Sequence, residues 1–411
     1  MKRALIIIPI LLITIGATRR RAVTPPMGPT YNKEIVRILQ THCQSCHHEG
    51  DIAPFPLMSY RDAIAHATEI KFMTKARLMP PWKAAAGCGE FAGERTMPQR
   101  DIDTIAQWVD NGAPEGNASD LPTPRTFDGG WPLGTPDITL SMSKDFTPPA
   151  TRDEYRCFSL PLNATNDLNV AAVDYRPGDR ATVHHVITYL DPTGASAQLD
   201  KTGGGYTCFG GPGLDNAAPL GGWSPGARPT PLPDGIAIRI PKNARAIMQV
   251  HYHPMFGKVL PDRTEMGIYL AKGEVRKELH YAVIDNDHFV IPAGAQNYKV
   301  EESATLPIDM EIYSVYPHGH LLLQRMNVEA VLPNGDKQCM IQIPAYDFNW
   351  QGNYVYKTPL SVPKGAKLHI EGYYDNSTSN FRNPNAPPRD VGFGEASTDE
   401  MCLALVGYVS P

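Results

Sequence analysis

Two histidines flank a single glycine in Tyr316-Pro317-His318-Gly319-His320, just ahead of the apolar run Leu321-Leu322-Leu323. On a strand, residues i and i+2 point from one face about 7 Å apart, so both imidazoles can converge on one metal ion. Far downstream, Asp399-Glu400-Met401-Cys402 offers a methionine before a second apolar run, Leu403 to Val406. Borderline nitrogen with a soft thioether suits copper cycling through Cu(I) better than zinc or magnesium. The plain alternative is a strand with two partly exposed histidines and a core methionine.

A second set of imidazoles lies upstream. Thr182-Val183-His184-His185-Val186-Ile187 carries adjacent histidines, and Met248-Gln249-Val250-His251-Tyr252-His253 supplies a third and a rival fourth. Neighbours on a regular strand face opposite ways, so His184 and His185 can share a metal only across a bulge or through different ring nitrogens. His251 and His253 could equally be cross-strand hydrogen-bonding residues.

A third constellation, His42-Cys43-Gln44-Ser45-Cys46-His47, contains the CxxCH pattern that attaches a c-type haem. The thiols of Cys43 and Cys46 form thioethers with the porphyrin, and His47 is held beneath the iron as proximal ligand. For the sixth position Met79, in Leu78-Met79-Pro80-Pro81, is preferred to Met97 in Thr96-Met97-Pro98. A methionine ahead of proline sits in a stiff extended loop that can hold a thioether over a haem face. His66, or an open sixth position, remains an option.

The elements that must position these residues follow from periodicity. Asn32 to Thr41 and Gln99 to Asn111 carry apolar residues at helical spacing, the second with Pro98 at its start and Gly112 after its end. Gly112 to Pro136 is rich in Pro, Gly, Ser and Asp and reads as a linker. Thereafter come short alternating segments, Ile138 to Met142, Ala181 to Leu190, Ile236 to Ile240, Ala246 to His253, Met310 to Tyr316 and Leu368 to Tyr374. Turn-forming clusters separate them, as in antiparallel sandwiches. The predicted class is multidomain: a small all-α cytochrome c-like domain followed by two all-β antiparallel, jelly-roll-like sandwiches. The expected boundaries are a haem domain at 22–116, a linker at 117–136, and sandwiches at 137–274 and 275–411.

Met1-Lys2-Arg3, the apolar run Ala4 to Ala17 and Thr18-Arg19-Arg20-Arg21 read as a secretory signal over 1–21, with an uncleaved anchor as the rival. Export places the chain in the periplasm or outside the cell, with no integral membrane domain after the signal is removed. A net charge of −5 gives no basic field for nucleic acid, and the 39 prolines and 35 glycines suit a loop-rich β protein.

The order of His184-His185, Gln249-Val250-His251-Tyr252, His318-x-His320 and Asp399-Glu400-Met401-Cys402 resembles the copper type II, ascorbate-dependent monooxygenases, the family of peptidylglycine α-hydroxylating and dopamine β-monooxygenases. The resemblance runs from about Thr135 to Pro411 and takes in Tyr373-Tyr374-Asp375-Asn376-Ser377 and Cys157. It implies that His184, His185 and His251 hold an electron-transfer copper, and that His318, His320 and Met401 hold the copper where O2 and substrate meet. It implies one copper site per sandwich across a solvent-filled cleft, and disulfides Cys157 to Cys208 and Cys339 to Cys402. Cys88 is then left over, with no assigned role. The peptide-hydroxylating members grip a substrate carboxylate at positions where this chain has Tyr316, Leu403 and Leu405. Two leucines there point to a more apolar pocket.

The expected activity is hydroxylation of a C–H bond in a small organic substrate with O2. Two coppers and one covalent haem c serve as cofactors, and electrons come through the haem, from ascorbate or from a redox protein. The competing readings are a non-enzymatic redox relay or copper-binding module, and an electron-carrying cytochrome with an inert β appendage.

Overall fold

The computed structural model describes residues 28–127, 130–253 and 259–411. The signal read at 1–21 lies outside them, and none of the described helices is long and apolar enough to cross a membrane.

Among the described residues, helices are confined to the N-terminal part and to one turn, Ser196–Leu199. Tyr31–Ile35 runs into Val36–His42, followed by Tyr60–Ala65, Ala67–Lys75 and Gln99–Asp110. Ser59 starts the second of these with a capping box: its hydroxyl accepts from the Asp62 amide, and the Asp62 carboxylate accepts from the Ser59 amide. The apolar stripes legible in the sequence meet in one core, with Ile35, Leu39, Ile70, Ile105 and Trp108 among its buried members.

The rest is β. One sandwich packs the sheet ordered Ile138–Ser141, Glu265–Leu270, Leu168–Arg176, Ile236–Ile240, Lys277–Glu278 against the sheet ordered Tyr206–Thr207, Glu154–Pro161, Arg245–Tyr252, Val183–Asp191, Ala218–Trp223. Arg245–Tyr252 is central in its sheet, and seven of its eight residues are buried. Its near-continuous apolar sequence reflects that position. The second sandwich has the sheet His280–Asn286, Cys402–Val409, Met310–His318, Tyr354–Val362 against Tyr298–Thr305, Lys367–Tyr374, Leu323–Val331, Lys337–Ile343. Each sandwich has its own apolar core.

Between the helices Ala67–Lys75 and Gln99–Asp110, the chain leaves the helical core and lies on the C-terminal sandwich. Ala85 N donates to Gln342 O at 2.8 Å and Ala92 N to Val355 O at 2.7 Å. Phe91 is buried in that sandwich's core, with its ring 5.3 Å from Tyr354 and 5.0 Å from Tyr356. A disulfide between Cys88 and Cys339 fastens the segment.

That bond overturns two expectations. Cys88 is not left over, and Cys339 does not pair with Cys402, whose thiol is free and buried. The reason is the alternation of a strand: on the edge strand Lys337–Ile343, Cys339 points outward, whereas Cys402 points into the interior from the facing sheet. The other expected disulfide, Cys157 to Cys208, is present.

Candidate metal centres

His184 and His185 share a centre because the strand does bulge. Pairing of Val183–Asp191 with Arg245–Tyr252 runs from Val183↔Tyr252 directly to His185↔His251, leaving His184 as the extra residue. The ring centroids lie 5.3 Å apart for His184 and His185, 5.1 Å for His184 and His251, and 4.8 Å for His185 and His251. One ring nitrogen from each falls within 4.8 Å of the others.

His184 Nε2 and His251 Nδ1 are buried with no hydrogen-bond partner. Burial, then the neighbouring imidazoles, hold the His184 and His185 pKa values well below the usual range. Burial also lowers that of His251. Neutral imidazoles with unclaimed lone pairs are what a copper or zinc ion requires, so the residues fit the group.

His253 is turned elsewhere. Its Nδ1 donates to Asp153 Oδ1 at 2.7 Å, while His251 Nε2 donates to Asp153 Oδ2 at 3.0 Å. Asp153, His251 and His253 thus form an overlapping donor group that the sequence did not indicate.

The second centre stands at the end of Met310–His318. There His318 is registered opposite Leu403, with Met401 just beyond the paired strand. The His318 and His320 rings are 5.2 Å apart and nearly perpendicular. Each Nδ1–H is spent: His318 donates to Gln351 Oε1 at 2.6 Å, and His320 to the Asp399 carbonyl at 3.2 Å. Both Nε2 atoms are thereby kept in the acceptor form a metal needs. Burial lowers the His318 pKa to about 4 and that of His320 to about 3.

Gly319 is required at this turn, since a Cβ would lie 2.9 Å from the Met401 carbonyl oxygen and 2.6 Å from Leu323 Cδ2. The backbone of the histidine pair therefore rests directly on that of the methionine. Glu400, buried completely, binds the two segments together. Its carboxylate accepts from the amides of His320 at 2.9 Å, Leu322 at 2.6 Å and Met401 at 3.1 Å. An acid next to the apolar run Leu403 to Val406 was the available signal for it.

The two centres are not separated by solvent at this point. Phe348, 4% exposed, stacks on His184 at 4.5 Å and meets His320 edge-on at 5.9 Å. The expected cleft is closed here by an aromatic ring for which the sequence carried no signal.

In the helical part, Cys43 and Cys46 are free thiols, and the His47 amide donates to the Cys43 carbonyl at 2.9 Å. His47 Nδ1 donates to the Phe55 carbonyl at 3.0 Å, which leaves Nε2 unprotonated. This donor set fits a covalently attached haem. Met97 is packed in the helical core, Met79 is half-buried, and His66 is stacked on Phe55 and bonded to Glu69. The turn Cys43 to His47 docks on the N-terminal sandwich: Arg228 contacts the Ser45 carbonyl, Cys46 Sγ and Asp51, and Arg180 pairs with Asp51 at 3.1 Å.

Two largely antiparallel sandwiches, each with a cluster of buried or half-buried histidines, define a β protein with two candidate metal centres. More particularly, residues 279–411 match the family described as copper type II ascorbate-dependent monooxygenase, C-terminal domain. Over 125 residues the chain is 30% identical to the peptidyl-glycine alpha-amidating monooxygenase of Mus musculus, covering 29% of this chain and 12% of that one. It is 28% identical over 123 residues to peptidyl-glycine alpha-amidating monooxygenase A of Xenopus laevis, at 29% and 12% coverage. The matched stretch is thus about an eighth of the length of these curated relatives. Among solved structures, the major capsid protein P2 from bacteriophage PM2 is similar at a TM-score of 0.27 and 8% identity, over 66% of this chain and 97% of that chain. A superposition that loose carries no argument.

Proposed function

We propose that the chain is an exported copper-dependent monooxygenase that hydroxylates a C–H bond of a small, largely apolar substrate with O2. His184, His185 and His251 would hold one copper, and His318, His320 and Met401 the other, at which O2 and substrate meet. Bound in these places, copper supplies one-electron redox chemistry towards O2, and two ions supply the two electrons that hydroxylation needs beyond those of the substrate. The observation that carries the reading is the pair of buried, unclaimed nitrogens on His184 and His251, beside a second histidine pair whose Nδ1 atoms are both engaged.

The chain's residues have separable tasks. Gln351 Oε1 accepts from both His318 and Tyr316, fixing the orientation of the His318 ring. Glu400 keeps Met401 against the histidine turn. Phe348 excludes water between the centres. Leu403 and Leu405 lie opposite His318 and Tyr316 on the same face of the sheet, so the surface beside His318 is apolar. It offers no clamp for a carboxylate, which argues for a neutral substrate.

Cys43, Cys46 and His47, with Met79, would hold a haem c that would deliver electrons alone or alongside ascorbate. Covalent fusion raises the effective concentration of such a donor. The disulfides suit the periplasm or the extracellular space.

The test is metal and haem analysis of the exported protein, followed by O2 uptake with ascorbate over a panel of apolar and phenolic compounds and mass spectrometry of products formed under labelled O2. Two coppers per chain and one labelled oxygen in a product are expected. A copper-loaded chain that consumes no O2 with any of them would favour a redox relay instead.

A further inference from the structure

Asp153 and Tyr155 each touch His251 and a loop of the C-terminal sandwich. Tyr155 lies directly opposite His251 in the sheet, and its ring stacks on that imidazole at 4.1 Å with 9° between the planes. Two residues earlier, Asp153 accepts the His251 Nε2 proton at 3.0 Å, which leaves Nδ1 as the ligand atom. His251 is therefore held on its face by one side chain and at its far nitrogen by the other.

Both side chains also reach across to the C-terminal sandwich and grip one loop there. Ser397 Oγ donates to Asp153 Oδ2 at 2.9 Å, and Tyr155 OH donates to the Glu395 carbonyl at 3.0 Å. That loop is stiff. The Gly394 amide donates to the Glu400 carbonyl at 3.1 Å, the Asp399 amide to the Ala396 carbonyl at 2.8 Å, and a Cβ on Gly394 would lie 2.4 Å from the Asp399 carboxylate. It delivers the Asp399 carbonyl to His320 and ends in Met401.

We infer that Asp153 and Tyr155 are positioning residues that couple the two metal centres, orienting His251 and, through Ser397 and Glu395, fixing the loop that sets His320 and Met401. The inference rests on the copper reading above. No bond or electron is rearranged; a shift at one centre is passed to the other through four side-chain contacts and a rigid loop. Coupling of this kind is reciprocal, so a change made on either sandwich is read on the other.

The decisive measurements therefore cross the interface. The Ser397→Ala variant alters only the C-terminal sandwich. It is expected to weaken Cu(II) binding at the three-histidine centre several-fold and to change the hyperfine splitting of that centre's EPR signal. The Tyr155→Phe variant keeps the ring on His251 but loses the contact to Glu395. It is expected to weaken the copper–sulfur scattering of the Met401 centre in X-ray absorption. Asp153→Asn, which acts on His251 directly, should cost the three-histidine centre about 10–100-fold in affinity. Melting of the metal-free variants reports folding separately. Variants that lower only the melting temperature, with EPR, affinity and sulfur shell as in the wild type, overturn the inference while the copper reading stands. A wild-type chain that retains no copper removes both.

Discussion

The ring of Phe348, from the C-terminal sandwich, lies nearly parallel to that of His184, from the N-terminal one, at 4.5 Å and 18°. Its edge-on contact with His320 puts both histidines on one aromatic ring, so they can be no further apart than 4.5 Å and 5.9 Å laid end to end. Phe348→Ala removes a buried ring at this junction, and the cavity should cost about 3–5 kcal/mol of stability. Water then has a path between the centres. The expected result is a lower melting temperature together with a larger share of consumed O2 released as hydrogen peroxide. Unchanged coupling of O2 uptake to product would show that the ring only packs.

The disulfide between Cys88 and Cys339 joins residues 251 positions apart and holds the segment around Phe91 to the C-terminal sandwich. Cys88→Ser should cost about 2–5 kcal/mol in denaturant unfolding. Peptide mapping without reductant should recover Cys88 with Cys339 and Cys157 with Cys208. Cys402 should react with iodoacetamide only after unfolding, because it is fully buried. Recovery of Cys339 with Cys402 would refute this pairing.

What was legible beforehand depended on how local the information was. The helix Gln99–Asp110 and the strand Ile236–Ile240 follow from their own periodicity. The convergence of His184, His185 and His251 was legible from their spacing on two strands, and the bulge at His184 is one of the two ways the pleat allowed adjacent histidines to share a centre. The partner of Cys339 could not be read, since it depends on which face of an edge strand looks outward and on where a segment 251 residues away is laid. Asp153, Gln351 and Phe348 are of common types at unremarkable spacing. Their contacts come from the tertiary fold: Gln351 reaches His318 within its own sandwich, while Asp153 to Ser397 and Phe348 to His184 cross between the two.

Arg228 ties the turn Cys43 to His47 and Asp51 to the loop Ser224 to Arg228, whose Gly226 carbonyl accepts from Arg95 at 2.8 Å. A Cβ on Gly226 would lie 3.2 Å from Trp350 Cζ3, and the neighbouring Gln351 holds His318. A continuous line of contacts thus runs from Cys46 to His318. If Cys43, Cys46 and His47 carry a haem as proposed, Arg228→Ala should slow re-oxidation of that haem several-fold in an anaerobic stopped-flow experiment with copper-loaded protein, leaving the haem content unchanged. A rate equal to that of the wild type would mean that electrons leave by another face.

Asp174 gives the fold a pH dependence of its own. Burial raises its pKa to about 6, and Oδ2 has no hydrogen-bond partner, while Oδ1 accepts from the Tyr175 amide at 2.8 Å. Because the folded-state value lies above the ordinary 3.8, the folded chain binds more protons than the unfolded one between those limits. Stability is fully present below about pH 4, falls as pH rises to about 6, and is then flat, a loss on the order of 3 kcal/mol from this carboxyl. Asp174→Asn removes that slope. Its amide leaves a buried N–H without an acceptor, at a cost of about 1–3 kcal/mol, so the variant is at best modestly more stable at pH 7 and is less stable than the wild type at pH 4. Urea unfolding of both proteins at pH 4 and pH 7 measures the difference directly, and parallel pH profiles for the two would contradict the assignment.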